Sequence, residues 1–378
     1  MFSGSRPQVL LAVENLKGGG AERVVVELAR NWPRDHFEPV ILVASLVGEY
    51  IADLPPDLEV IEVGIASSPR NTLAFLSRLR ERLRSREVAG VVSHLTGMNR
   101  MLLRASLAGV IKAPIVVVEH NDFLRNQGLA RMGWLRSFLL RSETAMLYRR
   151  AHGVVGCSRG VASQVGEMFG ITPGKLHAIP NPLDSRFMQP VETNTLVESW
   201  LQRLPRPVFV SVGRLVPQKA FHDLIGAFAL QKSGSLIILG EGPQRSSLET
   251  FAIEQGVAER TLLPGFVRSP QTVLQVSDVY VSSSLWEGYP LTLLEAYASG
   301  LPVVARACNF GPEEIVTQDR PGRLVRSNNV EDLANAMEEV ALTESRFPVG
   351  TTVDLSENNP LQVAKRYCNL FATRCESF

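Results

Sequence analysis

Short runs of consecutive apolar residues recur along the chain, separated by segments whose apolar positions repeat at helical spacing. QVLLAV (8–13), EPVILVAS (38–45), LEVIEVG (58–64), GVVSHL (90–95) and APIVVVEH (113–120) come first, then HGVVGCS (152–158) and LHAIPNP (176–182). β-Branched residues dominate these runs and strict alternation is missing, which fits strands buried on both faces. GGGAERVVVELARNW (18–32) predicts a glycine loop opening into a helix. Strand–helix alternation of this kind predicts a parallel, doubly wound sheet.

The pattern then restarts. RPVFVSVG (206–213), SLIILG (235–240) and TLLPGF (261–266) predict strands, with helices over FHDLIGAFALQ (221–231) and SSLETFAIEQG (246–256). The runs VLQVSD (273–278), VYVSSS (279–284) and PVVA (302–305) follow, then a helix over 330–342. Segment 183–205, with Pro190 and Pro205, joins the halves, and the tail 359–372 has helical periodicity. The expected fold class is α/β, with two Rossmann-like domains facing a cleft. The first is expected over 1–185, with a C-terminal helix within 356–378 crossing back to it. The second is expected over 186–355. Ligands of such sheets bind beyond the carboxyl ends of the strands.

Composition changes this picture little: 45% of residues are hydrophobic and 20% charged, ordinary for a globular chain. Charge distribution says more. Residues 70–150 hold fifteen Lys or Arg against five Asp or Glu, within a chain of net charge +1. So basic a half suggests an anionic partner: phosphate, nucleic acid or a membrane surface. Cys157, Cys308, Cys368 and Cys375 form no CxxC pair, which predicts reduced thiols in a cytosolic protein. The apolar run near the N-terminus is too short for a signal peptide, and no stretch of eighteen apolar residues predicts a membrane span.

The candidate chemistry centres on WEGYPLTLLEAYASGLPVVA (286–305), in which seven residues separate Glu287 from Glu295. Pro290 suits the first turn of a helix that Gly300 and Pro302 would end. The N–H groups of Leu291 and Thr292 would then point out of the helix start, where a phosphate binds. A nucleotide sugar has a matching layout of sugar, diphosphate and ribose diol. Glu287 can hold the sugar and Glu295 the ribose, through charge-assisted hydrogen bonds to hydroxyls. A lone pair of such acids is more often simply solvated. The stretch VGRLVPQKAFHDLIGAF (212–228) reverses that balance, with Arg214 at a strand end and Lys219 five residues on. Two fixed cations there could neutralise a diphosphate leaving group.

At this point the sequence resembles glycosyltransferase family 4, retaining enzymes of the GT-B fold. The resemblance runs through KGGGAERV (17–24), VVVEHND (116–122), GCSRGV (156–161), IPNPLD (179–184), GRLVPQK (213–219), LGEGPQR (239–245), LLPGFV (262–267), EGYPLTLLEA (287–296) and FGPEEI (310–315). It implies that Arg214 and Lys219 bind the diphosphate. It implies that Glu287 contacts the donor sugar near its anomeric centre, and that Glu295 contacts the ribose. Leu291 and Thr292 match backbone donors to phosphate, and Val267 the main chain that reads the nucleobase. His120 matches a histidine on the acceptor side of the sugar and is a general acid–base candidate. Gly19 and Gly20 match a loop that approaches the phosphates. Ala220 departs from the pattern, because the family commonly has glycine after the lysine.

The resemblance implies no cofactor beyond a nucleoside-diphosphate sugar, a UDP-sugar by expectation, and front-face attack with retention. The chain has no Asp-x-Asp, so activity is expected without a metal. NTLAFLSRLRERLRSR (71–86) and RMGWLRSFLLRSETAMLYRR (131–150) read as basic amphipathic helices, suited equally to a core face or to anionic lipid. The resemblance places the acceptor on the first domain and favours a polyprenyl-diphosphate-linked glycan in bacterial surface polysaccharide assembly. The expected location is cytoplasmic, peripheral on the inner face of the cytoplasmic membrane. A GT-B nucleotide-sugar epimerase, transfer to a soluble acceptor and a catalytically dead binding protein are the alternatives. No nucleic-acid-binding signature accompanies the basic half.

Overall fold

The computed structural model describes residues 6–126, 133–189, 203–344, 346–348 and 353–372. Arg131, Met132, Pro190 and Cys375 lie outside the described residues. The chain divides into two compact units, Met1–Asp184 with Ser356–Phe378, and Ser185–Leu355.

The first unit is built on seven strands: β1 (Gln8–Val13), β2 (Glu38–Val43), β3 (Glu59–Glu62), β4 (Val88–His94), β5 (Ile115–Glu119), β6 (Gly153–Gly156) and β7 (Leu176–Ala178). They lie in the order β3-β2-β1-β4-β5-β6-β7. Every pairing is parallel. Val9–Val13, Val91, Val92 and Val116–Val118 are fully buried, as runs without alternation require. The order reverses between β1 and β4. A crevice opens at such a switch point, beyond the carboxyl ends of the two strands. The glycine loop follows β1 and His94 closes β4.

The C-terminal helix Pro360–Ala372 belongs to this first unit, as expected of a chain that crosses back. Its Phe371 ring lies where a Cβ on Gly90 would come within 2.7 Å. Its Leu370 carbonyl lies 2.9 Å from His152 Nε2. The helix Thr72–Leu83 turns Phe75, Leu79 and Leu83 inward. That is the core-face reading of its periodicity, and Glu81 pairs with its Arg78.

The second unit holds β8 (Val208–Val212), β9 (Ser235–Leu239), β10 (Thr261–Gly265), β11 (Val279–Ser282), β12 (Val303–Arg306) and β13 (Gly322–Val325). The order is β10-β9-β8-β11-β12-β13, again parallel throughout. Here the reversal falls between β8 and β11. Phe209, Leu224, Ile225, Phe228, Leu236, Ile238, Val281 and Met337 form its core. Two details differ from the sequence expectation. VLQVSD lies on a short helix, Gln271–Val276. The edge strand β13 went unseen, because GRLV is half charged or glycine and pairs on one side only.

Candidate active site

The loop after β8 carries the two candidate cations. It packs hard against the loop after β9. Gly240 sits at φ +148°, and a Cβ there would lie 1.9 Å from the Gly213 carbonyl oxygen. Leu215 N–H donates to the Glu241 carbonyl at 2.9 Å. The loop then makes a tight turn, Pro217–Lys219, and three hydrogen bonds fasten that turn to the segment after β11. Leu285 N–H donates to the Gln218 carbonyl at 2.8 Å. Gln218 Nε2 donates to the Trp286 carbonyl at 2.8 Å, and Ser283 Oγ to the Lys219 carbonyl at 2.7 Å. The turn therefore has one place to put its lysine. Lys219 Nζ stands 2.5 Å from Glu287 Oε1.

Glu287 is only 6% exposed, so its charge is held at a largely desolvated position by a single cation. Removing either partner of such a pair leaves an uncompensated buried charge, worth roughly 3–5 kcal/mol when burial is complete. Arg214 is different. It is exposed, and among the described residues no ion pair holds it. It is a cation at a strand end with its charge still available.

The helix behind Glu287 runs Leu291–Ala298, one residue shorter at its start than expected, because Pro290 precedes it with extended ψ of 110°. Leu293 N–H bonds the Pro290 carbonyl at 3.2 Å. The N–H groups of Leu291 and Thr292 stand ahead of any intrahelical acceptor, as first-turn groups must. Gly300, at φ +76°, follows its end. Glu295 is inside this helix and 1% exposed. Tyr280, from β11, lies between the parts. Its hydroxyl bonds with Thr292 and feels the charges of Glu295 and Glu287, and burial above all pushes its pKa up.

A second loop, Cys308–Gly311, wraps the Glu287–Pro290 turn. Trp286 and Asn309 form an isolated parallel bridge. Phe310 and Gly311 both have positive φ, and a Cβ on Gly311 would sit 2.6 Å from the Gly288 carbonyl oxygen. Burial first, then the charge of Glu287, pushes the Cys308 thiol up to about 12. Below the site Arg306 closes β12, fully buried, with Nη1 2.8 Å from Asp223 Oδ2 and 3.0 Å from the Ser283 carbonyl. It steadies the same Ser283 whose hydroxyl holds the lysine turn. Val267 lies half-buried past the end of β10, two strands from β8.

In the first unit Gly19 caps the helix Gly20–Arg30 and Gly20 is exposed at its first position. Gly18 N–H donates to Glu49 Oε2 at 2.9 Å, which holds the loop against the segment after β2. His120 follows β5 directly. Its Nε2 lies 2.8 Å from Nδ1 of His94, and the two rings are 5.1 Å apart between centroids. Burial lowers the His120 pKa to about 4, opposed in part by the Asn181 side chain. At neutral pH the ring is uncharged and a weak proton acceptor. Beside it, Glu119 is buried and takes hydrogen bonds from Thr96 Oγ1 at 3.0 Å, Asn99 Nδ2 at 3.3 Å and the Tyr148 hydroxyl. Burial outweighs these bonds and raises its pKa to about 7.

The structure thus assembles Lys219, Glu287, Thr292 and Glu295 in one unit and leaves Arg214 free at its edge. It places Gly19, Gly20 and His120 in the other. His94, Glu119 and Arg306 were missed by sequence reasoning. A histidine ending VVSH one strand away from VVVEH was the available signal, and it needs the β4–β5 pairing to be seen. Among the described residues, no three His, Cys, Asp or Glu side chains gather as a metal site would require.

Two family models divide the chain between them: Glycosyltransferase Family 4 over residues 18–187, and Glycosyl transferases group 1 over residues 193–359. The chain belongs to glycosyltransferase family 4. This family 4 chain is 30% identical over 213 residues to the UDP-Gal:alpha-D-GlcNAc-diphosphoundecaprenol alpha-1,3-galactosyltransferase of Escherichia coli, across 54% of this chain and 53% of that protein. It is 25% identical over 271 residues to the 2-deoxystreptamine glucosyltransferase of Streptomyces kanamyceticus, across 68% of this chain and 70% of that one. The chain spans about half the length, or less, of the first curated relatives it matches. Anabaena HepE, solved with UDP-glucose, superposes with a TM-score of 0.72 at 18% identity, over 98% of each chain. The family's GT-B fold, with its two parallel-sheet domains, is therefore the fold of this chain.

Proposed function

We propose that this family 4 chain is a retaining, metal-independent glycosyltransferase. In this reading it moves a hexose or N-acetylhexosamine from a UDP-sugar to a polyprenyl-diphosphate-linked glycan in bacterial surface polysaccharide or glycan assembly. The observation that carries the reading is the Lys219–Glu287 pair at the mouth of the helix Leu291–Ala298. Donor binding exchanges partners there. The diphosphate takes Lys219 and the exposed Arg214, the helix start supplies N–H donors, and Glu287 is released to the sugar hydroxyls. Glu295 is the ribose ligand and Val267 the main-chain contact to the base.

The chemistry follows from charge. The glycosidic C–O bond to the diphosphate breaks, an oxocarbenium-like sugar forms, and the acceptor hydroxyl adds on the face the diphosphate leaves. Lys219 and Arg214 stabilise the charge that grows on the leaving oxygen, and this difference between transition state and ground state accelerates the step. The diphosphate oxygen takes the proton of the acceptor. His120, neutral at working pH, is a polar wall of the acceptor side. The UDP preference rests on the relatives' printed names and on HepE with UDP-glucose.

A peripheral membrane position on the cytoplasmic face is part of the same reading. Helix Trp134–Tyr148 buries Thr144, Leu147 and Tyr148 near its end but not its first turns. There Trp134 is 80% and Phe138 60% exposed, with Leu135 and Leu139 beside them and Arg136 and Arg141 around them. Such a face fits an anionic bilayer. Among the described residues no helix is long and apolar enough to cross a membrane. A soluble acceptor is the second reading, favoured by the longer match to the 2-deoxystreptamine glucosyltransferase.

The test supplies labelled nucleotide sugars and a bacterial lipid extract, with a chelator present. Label entering the organic phase supports the proposal. Release of nucleoside diphosphate without lipid label moves the acceptor to a soluble molecule. No release with any donor refutes the proposal.

A further inference from the structure

His120 does not stand alone at the end of β5. β4 and β5 pair in register, with His94 opposite Val118, and this sets His94 against the residue that follows β5. Between His94 Nδ1 and His120 Nε2, at 2.8 Å, there is room for one hydrogen. Both rings are neutral, because burial lowers the pKa of each, so each carries a single N–H. Two arrangements satisfy that count. In one, His94 donates from Nδ1. In the other, His120 donates from Nε2, and His94 must carry its hydrogen on Nε2.

The surroundings choose between them. His94 Nε2 is buried and has no hydrogen-bond partner. A buried N–H without an acceptor is rarer in proteins than an under-used acceptor. The hydrogen of His94 therefore belongs on Nδ1, and His120 then carries its own on Nδ1. The Asn181 side chain is the hydrogen-bonding neighbour of His120, at a geometry looser than an ordinary hydrogen bond. The titratable groups around the pair do not disturb this. Glu119 directs its carboxyl to Thr96, Asn99 and Tyr148. Tyr367, on the C-terminal helix, is 6.4 Å from the His94 ring and interacts with Cys157.

A second feature bears on the same spot. Leu95, directly after His94, has φ of +71° and ψ of 140°, a region that favours glycine. Its N–H bonds the Val118 carbonyl at 3.2 Å, and its carbonyl takes the Asn99 N–H at 2.9 Å. A strained leucine persists only where the surroundings over-determine it, and such residues cluster at functional sites.

We propose that His94 is a positioning residue, whose Nδ1–H donates to His120 Nε2 and locks His120 as the neutral Nδ1–H tautomer. His120 then meets a ligand as a fixed neutral donor, and its Nε2 is closed to an acceptor hydroxyl. Only the consequence for turnover rests on the glycosyltransferase reading.

The experiment is a long-range proton–nitrogen correlation spectrum of the 15N-labelled full chain, whose six histidines are assigned by single substitution. His94 and His120 are expected neutral at pH 7, both with hydrogen on Nδ1. His94→Phe is expected to release the His120 tautomer into a mixture. It is also expected to lower kcat about tenfold, as for a misplaced group near the chemistry, with the donor KM unchanged. His94→Asn, which keeps a donor near the Nδ1 position, is expected to restore both. An Nε2–H His120 in the wild-type chain, a cationic ring at pH 7, or an unchanged tautomer in His94→Phe overturns the proposal. If His94→Phe does not fold, the wild-type and His94→Asn spectra decide. A chain that turns over no nucleotide sugar still yields the spectrum, so the two readings fail separately.

Discussion

Lys219 follows β8 and Glu287 follows β11, yet their side chains meet at 2.5 Å, because these strands are neighbours at the point where the sheet order reverses. The pair is a product of topology. Residues 68 apart in sequence share one carboxyl-end crevice. In the proposed reaction this pair is also the switch, since a donor diphosphate competes with Glu287 for Lys219.

Neutralising either side of the pair should therefore damage turnover more than folding. Lys219→Ala and Glu287→Gln are each expected to lower kcat/KM by about 10²–10³, the usual cost of removing one group that stabilises developing charge. Glu287→Gln keeps the shape and removes the desolvated charge, so its melting temperature should stay near that of the wild type. Steady-state kinetics beside thermal melts check both halves of this expectation.

Ala220 supplies a prediction about stability alone. It follows Lys219 with φ of +47° and ψ of 44°, the left-handed conformation that costs a non-glycine residue about 1–2 kcal/mol. Ala220→Gly removes that strain but loosens the unfolded chain, so a net gain of roughly 0.5–1 kcal/mol is expected in denaturant melts. A loss of stability would show that the left-handed geometry is not what the sequence adopts.

Glu119 and His120 should shape the pH dependence of stability in opposite directions. The Glu119 pKa is raised to about 7, so the folded chain holds a proton that the unfolded chain releases. Its contribution is full below about 4.5 and is lost as pH rises through 7, by roughly 3 kcal/mol at 1.36 kcal/mol per unit. His120 is lowered to about 4 from 6.5. Its contribution is present above 6.5 and is lost as pH falls toward 4. Glu119→Gln should thus flatten the neutral side of the stability profile and leave the acid side. Melts from pH 4 to pH 8 on the two chains check this.

The exposed start of the helix Trp134–Tyr148 predicts vesicle binding. Replacing both Trp134 and Phe138 by Ser should weaken partition onto phosphatidylglycerol vesicles by tenfold or more, since each buried aromatic contributes about 1.5–3 kcal/mol. Added salt should weaken binding of the wild type through Arg136 and Arg141. Co-sedimentation measures both, and equal partition of the double variant would remove this helix from the membrane face.

Much of this was legible in the chain itself. Apolar runs without alternation gave nearly every strand, because buried parallel strands leave that pattern and few others do. The spacing of Glu287 and Glu295 across a helix start pointed to the donor site before any contact was known. What could not be read were relations across strands. Arg306 steadies the lysine turn through Ser283, and His94 meets His120, only because β11, β12 and β4, β5 lie side by side. The membrane question was likewise undecided in sequence. Both arginine-rich helices had the same periodicity, and only burial separates Phe75, Leu79 and Leu83, turned inward, from Trp134 and Phe138, left outside.

The central claim is a diphosphate-binding site formed by Arg214, Lys219 and the helix start at Leu291. The most direct test is calorimetric titration of the full chain with UDP and UDP-sugars, chelator present. Saturable binding is expected for the wild type, weakened about tenfold or more by Arg214→Ala and by Lys219→Ala, as charge-assisted bonds to phosphate are lost. No binding of any nucleotide, or equal binding by the wild type and both variants, would contradict the account.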